Sequence, residues 1–538
     1  MNRFLILIAL LQCLTSLPSA SCGQDSGALP TQLGTGPTPE EPRRLRIKPF
    51  SDSIFKRLPS AQPGFSESGV RPASFEGDTD EIDFFEVESG QPKLQSDREK
   101  SVVEHAAGNE LQEDQIIAPL EDPVLGQGDQ PLIRLGDWLD QVRVGYDNGF
   151  QIISRDELDL NGQDDKFRLK INGWGQLRNT LLESANSGED LRQFQLKRGR
   201  LVFAGSAFTP DFGYFVQVDG RSSDGDDLRL LDYYLNYDFG RHFLNMEKGR
   251  LSFRTGRWKM PTTLSRWLSG RELEFSDRSV ASMFFDVNRS LAWGLGGQET
   301  FRSMPFNWEL AIFNGLVTGG AETGSSGDLD SNFAYSIRAF CEPIGEWGKG
   351  ELADLDYHEA LAMRTGIGMA TSTIDRTGLT EFRSARVVDS GRRLSDLLPN
   401  SVESYRIYLY SADLSVKYRG WSITNEYYFR TVDRILGAEI GQLFDHGHWL
   451  QIGKFIIPDR LQVIARWSRV DGNSGTLGIA DLSSDEVAGG VVYYFRDQHA
   501  KITFDATRIN GSPISSAALD LEPGVDGLLF RTQIQFSF

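Results

Sequence analysis

Basic residues recur in this chain at spacings that could hold an anion. Arg198 and Arg200 share one face of an extended segment, as do Arg257 and Lys259. Arg266, Arg271 and Arg278 follow in one long connection, 261–288, with Arg289 at its exit. An anion that sheds part of its water needs fixed donors in exchange. Guanidinium offers a planar fork matched to oxyanions, and ammonium a compact point charge. Rings of Arg or Lys around a passage select anions, whereas rings of Asp or Glu select cations. The same connection carries Glu272, Glu274, Asp277 and Asp286. These bases are therefore either donors to a passing anion or partners of neighbouring acids, as exposed pairs often are.

Residues of this kind could line a passage only if strands present them inward. From Gly527 to Phe538 the chain alternates without a break: Leu528, Phe530, Thr532, Ile534, Phe536 and Phe538 on one face, Leu529, Arg531, Gln533, Gln535 and Ser537 on the other. A strand that crosses a bilayer at a tilt needs about 9–11 residues with one apolar and one wet face. Similar alternation marks Leu414–Arg419, Leu461–Ser468 and Lys501–Thr507, with charges among the polar members. A soluble core rejects such charges, while a water-facing lumen accepts them. Segments of strand length after position 142 number about sixteen, and their connections alternate between tight and long. The fold expected is all-β: a transmembrane antiparallel barrel, wide enough at about sixteen strands to hold an aqueous channel.

Ahead of the strands, Arg3 and the apolar run from Phe4 to Leu11 lead to Ser19-Ala20-Ser21, the pattern of a secretory signal at 1–22. Cys22 follows a poor match to a lipoprotein box. Positions 23–135 are rich in acids, Pro, Gly and Ser without a sustained apolar period. Such a segment buries too little to offset its ordering entropy and is expected to be disordered. The barrel domain is then 142–538. The net charge of −19 argues against nucleic-acid binding. No apolar run is long enough for a spanning helix. No Gly-x-Ser-x-Gly elbow, phosphate loop or HExxH motif stands out, so neither catalysis nor a cofactor is expected. His446 and His448 share a strand face, but no obvious third ligand accompanies them, and no metal is expected.

The segments Tyr146–Phe150 and Phe167–Gly173 resemble the opening of the phosphate-selective porins of the O and P type. So do Arg198-Gly199-Arg200-Leu201 and Tyr214–Asp219, while Gly256–Pro261 resembles that family's strand-to-loop junction and is followed by Leu273–Ser279 and Phe313-Asn314-Gly315. The resemblance covers about 145–538, and its specificity lies in the order of the motifs. It implies a sixteen-stranded homotrimeric barrel in outer-membrane lipid, a constricting loop folded inward, and luminal bases passing small inorganic anions such as phosphate or polyphosphate. On that basis Arg266, Arg271, Arg278, Arg289, Arg257, Lys259, Arg198 and Arg200 are the expected pore donors. A broad or cation-leaning porin, or a tether whose N-terminal arm binds a cell-wall or periplasmic partner, remains open as an alternative.

Overall fold

In the computed structural model the described residues run from Val142 to Phe538, apart from stretches at 155–166, 187–189, 222–226, 320–328, 389–390, 474–476, 478–482 and 515–520. The expected signal at 1–22 and acidic segment at 23–135 lie outside the described residues. A short hairpin, β1 (Val142–Tyr146) and β2 (Phe150–Ser154), precedes the main sheet. Then follow β3 (Arg168–Ser184), β4 (Leu191–Ala207), β5 (Thr209–Arg221), β6 (Asp227–Tyr237), β7 (Ser252–Lys259) and β8 (Arg289–Phe301). Next come β9 (Met304–Asn314), β10 (Phe333–Ile344), β11 (Ala362–Asp375), β12 (Ser404–Tyr418) and β13 (Trp421–Leu436). The last are β14 (Leu443–Ile457), β15 (Leu461–Asn473), β16 (Ser483–Arg496), β17 (Ala500–Asn510) and β18 (Gly527–Ser537).

Each strand from β3 onward pairs antiparallel with the next, and β18 returns to β3 from Gly527↔Ser184 to Ser537↔Trp174. The sheet is a closed sixteen-stranded barrel, as the alternation predicts. Closure leaves no strand edge among these sixteen to seek another chain. Gly173 and Phe538 exchange backbone hydrogen bonds at the seam. The rings of Phe536 and Phe538 lie where Cβ atoms on Gly175 and Gly173 would sit, 2.8 and 2.9 Å from ring carbons. Glycine at these two positions lets the terminal aromatics seal the joint. The β1–β2 hairpin extends the sheet at Arg168–Ile171, beyond the end of β18.

Strand parity sorts the side chains as expected. On β18, Phe530, Ile534 and Phe536 are exposed on the outside while Arg531, Gln533 and Gln535 are buried within. The exposed set includes Trp421, Ile423, Trp467, Val487 and Phe504 on other strands of the barrel. An outer apolar surface of this extent is the one a bilayer covers. Among the described residues no helix is long and apolar enough to span a membrane.

The interior differs from an open water-filled tube. Three connections fold inward: 260–288 from one end, 345–361 from the other, and 376–403 from the first. Phe275 of the first and Ala353 and Leu355 of the second share one buried cluster with Phe455, Ile464, Val492 and Tyr494 of the wall. Phe382, Val387 and Leu394 of the third join a larger cluster with Leu264, Val280 and Phe284. Strand number sets the width of a lumen, but inward connections decide how much of it stays open.

Candidate functional site: a cationic lumen wall beneath an inward loop

The loop 260–288 owes its position to contacts around most of the wall. Two short helices within it begin at Thr263 and Ser279, whose hydroxyls accept from the backbone N–H of Arg266 and Ser282. Glu426 of β13 accepts the backbone N–H groups of Leu264 and Ser265 at 2.6 and 2.9 Å. Glu486 of β16 accepts from Val280 at 2.6 Å, and Ser468 of β15 from Ala281 at 3.1 Å. Asp505 of β17 holds the Ser276 N–H at 3.0 Å. Basic wall residues hold loop carbonyls in the same way: Lys501 donates to Arg271 and Leu273, Lys259 to Leu268, and Arg466 to Asp277. Acids and bases of the lumen thus act together as anchors, and first-turn N–H groups that need acceptors find them on the wall.

Asp277 is the centre of the arrangement. Its carboxylate meets Arg178 of β3 at 2.5 Å, Arg198 of β4 at 3.2 Å and Arg531 of β18 at 3.5 Å. Arg178 also donates to the Ser276 carbonyl and to Gln533. Arg198 donates to Gln176, which donates in turn to Gln535 and to the Gly270 carbonyl. Lys197 adds its charge to the field at Asp277. Burial alone would push this carboxyl up. Arg178, followed by Arg531, Lys197 and Arg198, outweighs burial and holds it well below the usual carboxylate range. Asp277 thus faces four positive groups. Glu274, three residues earlier, is different: burial pushes it up, and donors on Gln462, Gln451 and Ser422 partly offset that.

The structure places the other expected donors around this cluster. Arg266 is fully buried, 3.6 Å from Asp286 and donating to Asn288. Arg278 donates to the carbonyls of Ser265 and Leu268. Arg271 is half-buried, 3.5 Å from Glu272. Arg289 makes a two-pronged pair with Asp232 at 2.7 and 2.9 Å. Arg200 meets Asp219 at 3.1 Å. Arg257 lies on the strand face opposite Arg254 and Trp258, donating to the Leu230 carbonyl, while Lys259 turns inward at the end of β7. Of the expected set, Arg198 reaches Asp277.

Arg178, Lys197 and Arg531 are further cations of the cluster. Arg178 and Arg531 were legible from alternation, since each lies on the polar face of its strand. Lys197 was not: a bulge between Gln176 and Leu177 on the pairing of β3 with β4 inserts one residue, so Lys197 and Arg198 both turn inward.

A closed sixteen-stranded barrel with a charged interior is the class this geometry defines. Solved structures similar to it include an anion-selective porin from Comamonas acidovorans, at 10% identity and TM-score 0.46, covering 69% of this chain and 99% of that one. The outer membrane channel DcaP of Acinetobacter baumannii matches at 10% identity and TM-score 0.42, covering 71% and 99%. OprB of Pseudomonas putida matches at 12% and 0.42, covering 69% and 94%. No family model matches the chain, and no curated relative does. The resemblance to phosphate-selective porins therefore stands on its motifs alone.

Proposed function

We propose that this protein is an outer-membrane channel for small inorganic anions, phosphate among them. The observation that carries this is the sign of the lumen. Among the described residues, buried charged side chains on β3–β18 comprise fourteen Arg or Lys against seven Asp or Glu. Adding Arg266, Arg278, Glu274, Asp277 and Asp286 of loop 260–288, with Asp354 and Glu381 of the other two inward connections, leaves the bases ahead by sixteen to twelve. The chain as a whole carries −19, so the positive interior is a local feature. Charges in a confined, low-dielectric passage act more strongly on an ion than the same charges in open solvent.

The donors proposed for the anion are Arg198 with Arg178, Lys197 and Arg531, flanked by Arg200, Lys259, Arg266, Arg271, Arg278 and Arg289. A homotrimer, secretion through a signal peptide and a passive mechanism complete the proposal. Reversal potential in a salt gradient tests it: the potential should report anion preference, and Arg198→Glu should move it toward cations. A cation-preferring wild type would overturn the reading.

The three inward connections favour one other function specifically, a non-conducting barrel that anchors the N-terminal arm to the membrane. Absence of current from wild type and from loop-loosened variants alike would support it.

A further inference from the structure

Loop 260–288 covers the barrel wall at β3, β4 and β18. Arg178, Arg531 and Asp277 are each between 1% and 4% exposed, although they line a lumen wide enough for water. The cover is one loop, and at its centre Asp277 occupies a pocket of four cations, with Asp505 of β17 opposite Arg531. The loop also brings Asp277 to that pocket by its own covalent tether, which raises the local concentration of the carboxylate far above that of any free anion.

We infer that Asp277 is a tethered counter-anion that holds loop 260–288 shut over Arg178, Lys197, Arg198 and Arg531, and that an incoming tetrahedral oxyanion opens the loop by taking its place. This rests on the anion-channel function proposed above and adds its regulation. The chemistry of the exchange follows from the pocket. A carboxylate brings two acceptor oxygens and one charge to three guanidinium groups and an ammonium. Phosphate brings more oxygens and more charge, arranged tetrahedrally, and so satisfies converging Arg forks better than a planar carboxylate. Once Asp277 is displaced, the loop loses its contacts to β3, β4 and β18. The contacts of Leu264 and Ser265 to Glu426, and of Val280 to Glu486, remain as a hinge side. A ligand shifts such an equilibrium only through its differential affinity for the two states. Here the difference is explicit, because the cations are filled by Asp277 in one state and available in the other. Chloride, with one charge and no fixed oxygens, competes less well.

The test uses the full chain in lipid vesicles and planar bilayers, with inorganic phosphate as the probe. Ser276, buried beside Asp277 on the loop, is replaced by cysteine in a chain whose Cys13, Cys22 and Cys341 are replaced by serine, and labelled with a charged thiol reagent. Phosphate should speed labelling by about tenfold or more where it shifts the loop population, while chloride at equal ionic strength should not. Asp277→Asn should label fast without phosphate and respond to it little. In bilayers the same variant should show frequent openings in chloride alone, whereas wild type opens mainly when phosphate is added. Labelling indifferent to both phosphate and Asp277→Asn overturns the inference, as does steady wild-type conductance in chloride that Asp277→Asn leaves unchanged. Phosphate-responsive labelling without current, or with cation-selective current, upholds the switch and overturns the anion-channel function instead.

Discussion

At the scale of single residues, the interior depends on pairs that cannot be broken one side at a time. Asp232 and Arg289 are both without solvent exposure and form two hydrogen bonds across β6 and β8. Removing one partner of such a pair leaves a desolvated charge, which costs about 3–5 kcal/mol, far more than an exposed pair contributes. Asp232→Ala should therefore lower stability by that amount in urea titrations of vesicle-folded protein. Arg469→Ala, at a partly exposed pair with Asp471, should lie within experimental error of wild type. Glu381, in the connection between β11 and β12, gives a pH-dependent counterpart. It is buried beside Asp330 and Asp375, and burial, then Asp330, pushes its carboxyl up to about 8. The folded protein thus holds this proton to a higher pH than the unfolded chain does. The stabilisation is complete below the ordinary carboxyl value of 4.5, declines above it, and is lost through about 8. Proteolysis in 376–403 should quicken from pH 5 to pH 9 and become flat with pH in Glu381→Gln. An unchanged slope in that variant would assign the effect elsewhere.

At the scale of elements, strand parity was legible in the sequence because the side-chain period of a strand is two and each face meets a different solvent. Ile534 is on the outer face of β18, so Ile534→Lys should cost about 2–4 kcal/mol near mid-bilayer and depress folding into vesicles. Alternation alone makes Gln533→Lys look harmless, since its face is the polar one. The structure revises that: Gln533 accepts two hydrogen bonds from Arg178 and is buried under the loop. Lysine there should spare membrane insertion yet add a cation beside Arg178, and it should register in the labelling rate of cysteine at Ser276 rather than in folding. Parity failed only where the backbone departs from it. The bulge at Lys197 adds an inward base that counting by twos would turn outward. At Gly256, φ is +134° and a Cβ would lie 2.2 Å from the Tyr233 carbonyl oxygen, so only glycine fits the bend. That bend separates the inward Trp258 and Lys259 from Arg257, which the spacing alone had grouped with Lys259.

At the scale of the whole molecule, the strand count and closure follow from local patterns, but the state of the lumen does not. Phe275 and Leu355 lie about eighty residues apart in sequence and enter from opposite ends, with nothing local to announce their meeting in one cluster. Lys417 secures the second loop, donating to the carbonyls of Trp347, Lys349 and Gly350. The interior is thus covered from both sides, and loosening either cover should admit ions. Leu355→Asp places a charge in the apolar cluster that joins the two loops and leaves every wall cation in place. An unpaired charge in such surroundings is strongly disfavoured, so the 345–361 loop should leave the lumen. Conductance should rise in both voltage directions while the reversal potential stays at its wild-type value, because selectivity belongs to the wall. Arg198→Glu should differ by shifting the potential, in addition to any conductance gained by loosening Asp277. If Leu355→Asp moves the potential as far as Arg198→Glu does, the loop contributes to selection as well as to closure, and the division between wall and cover fails.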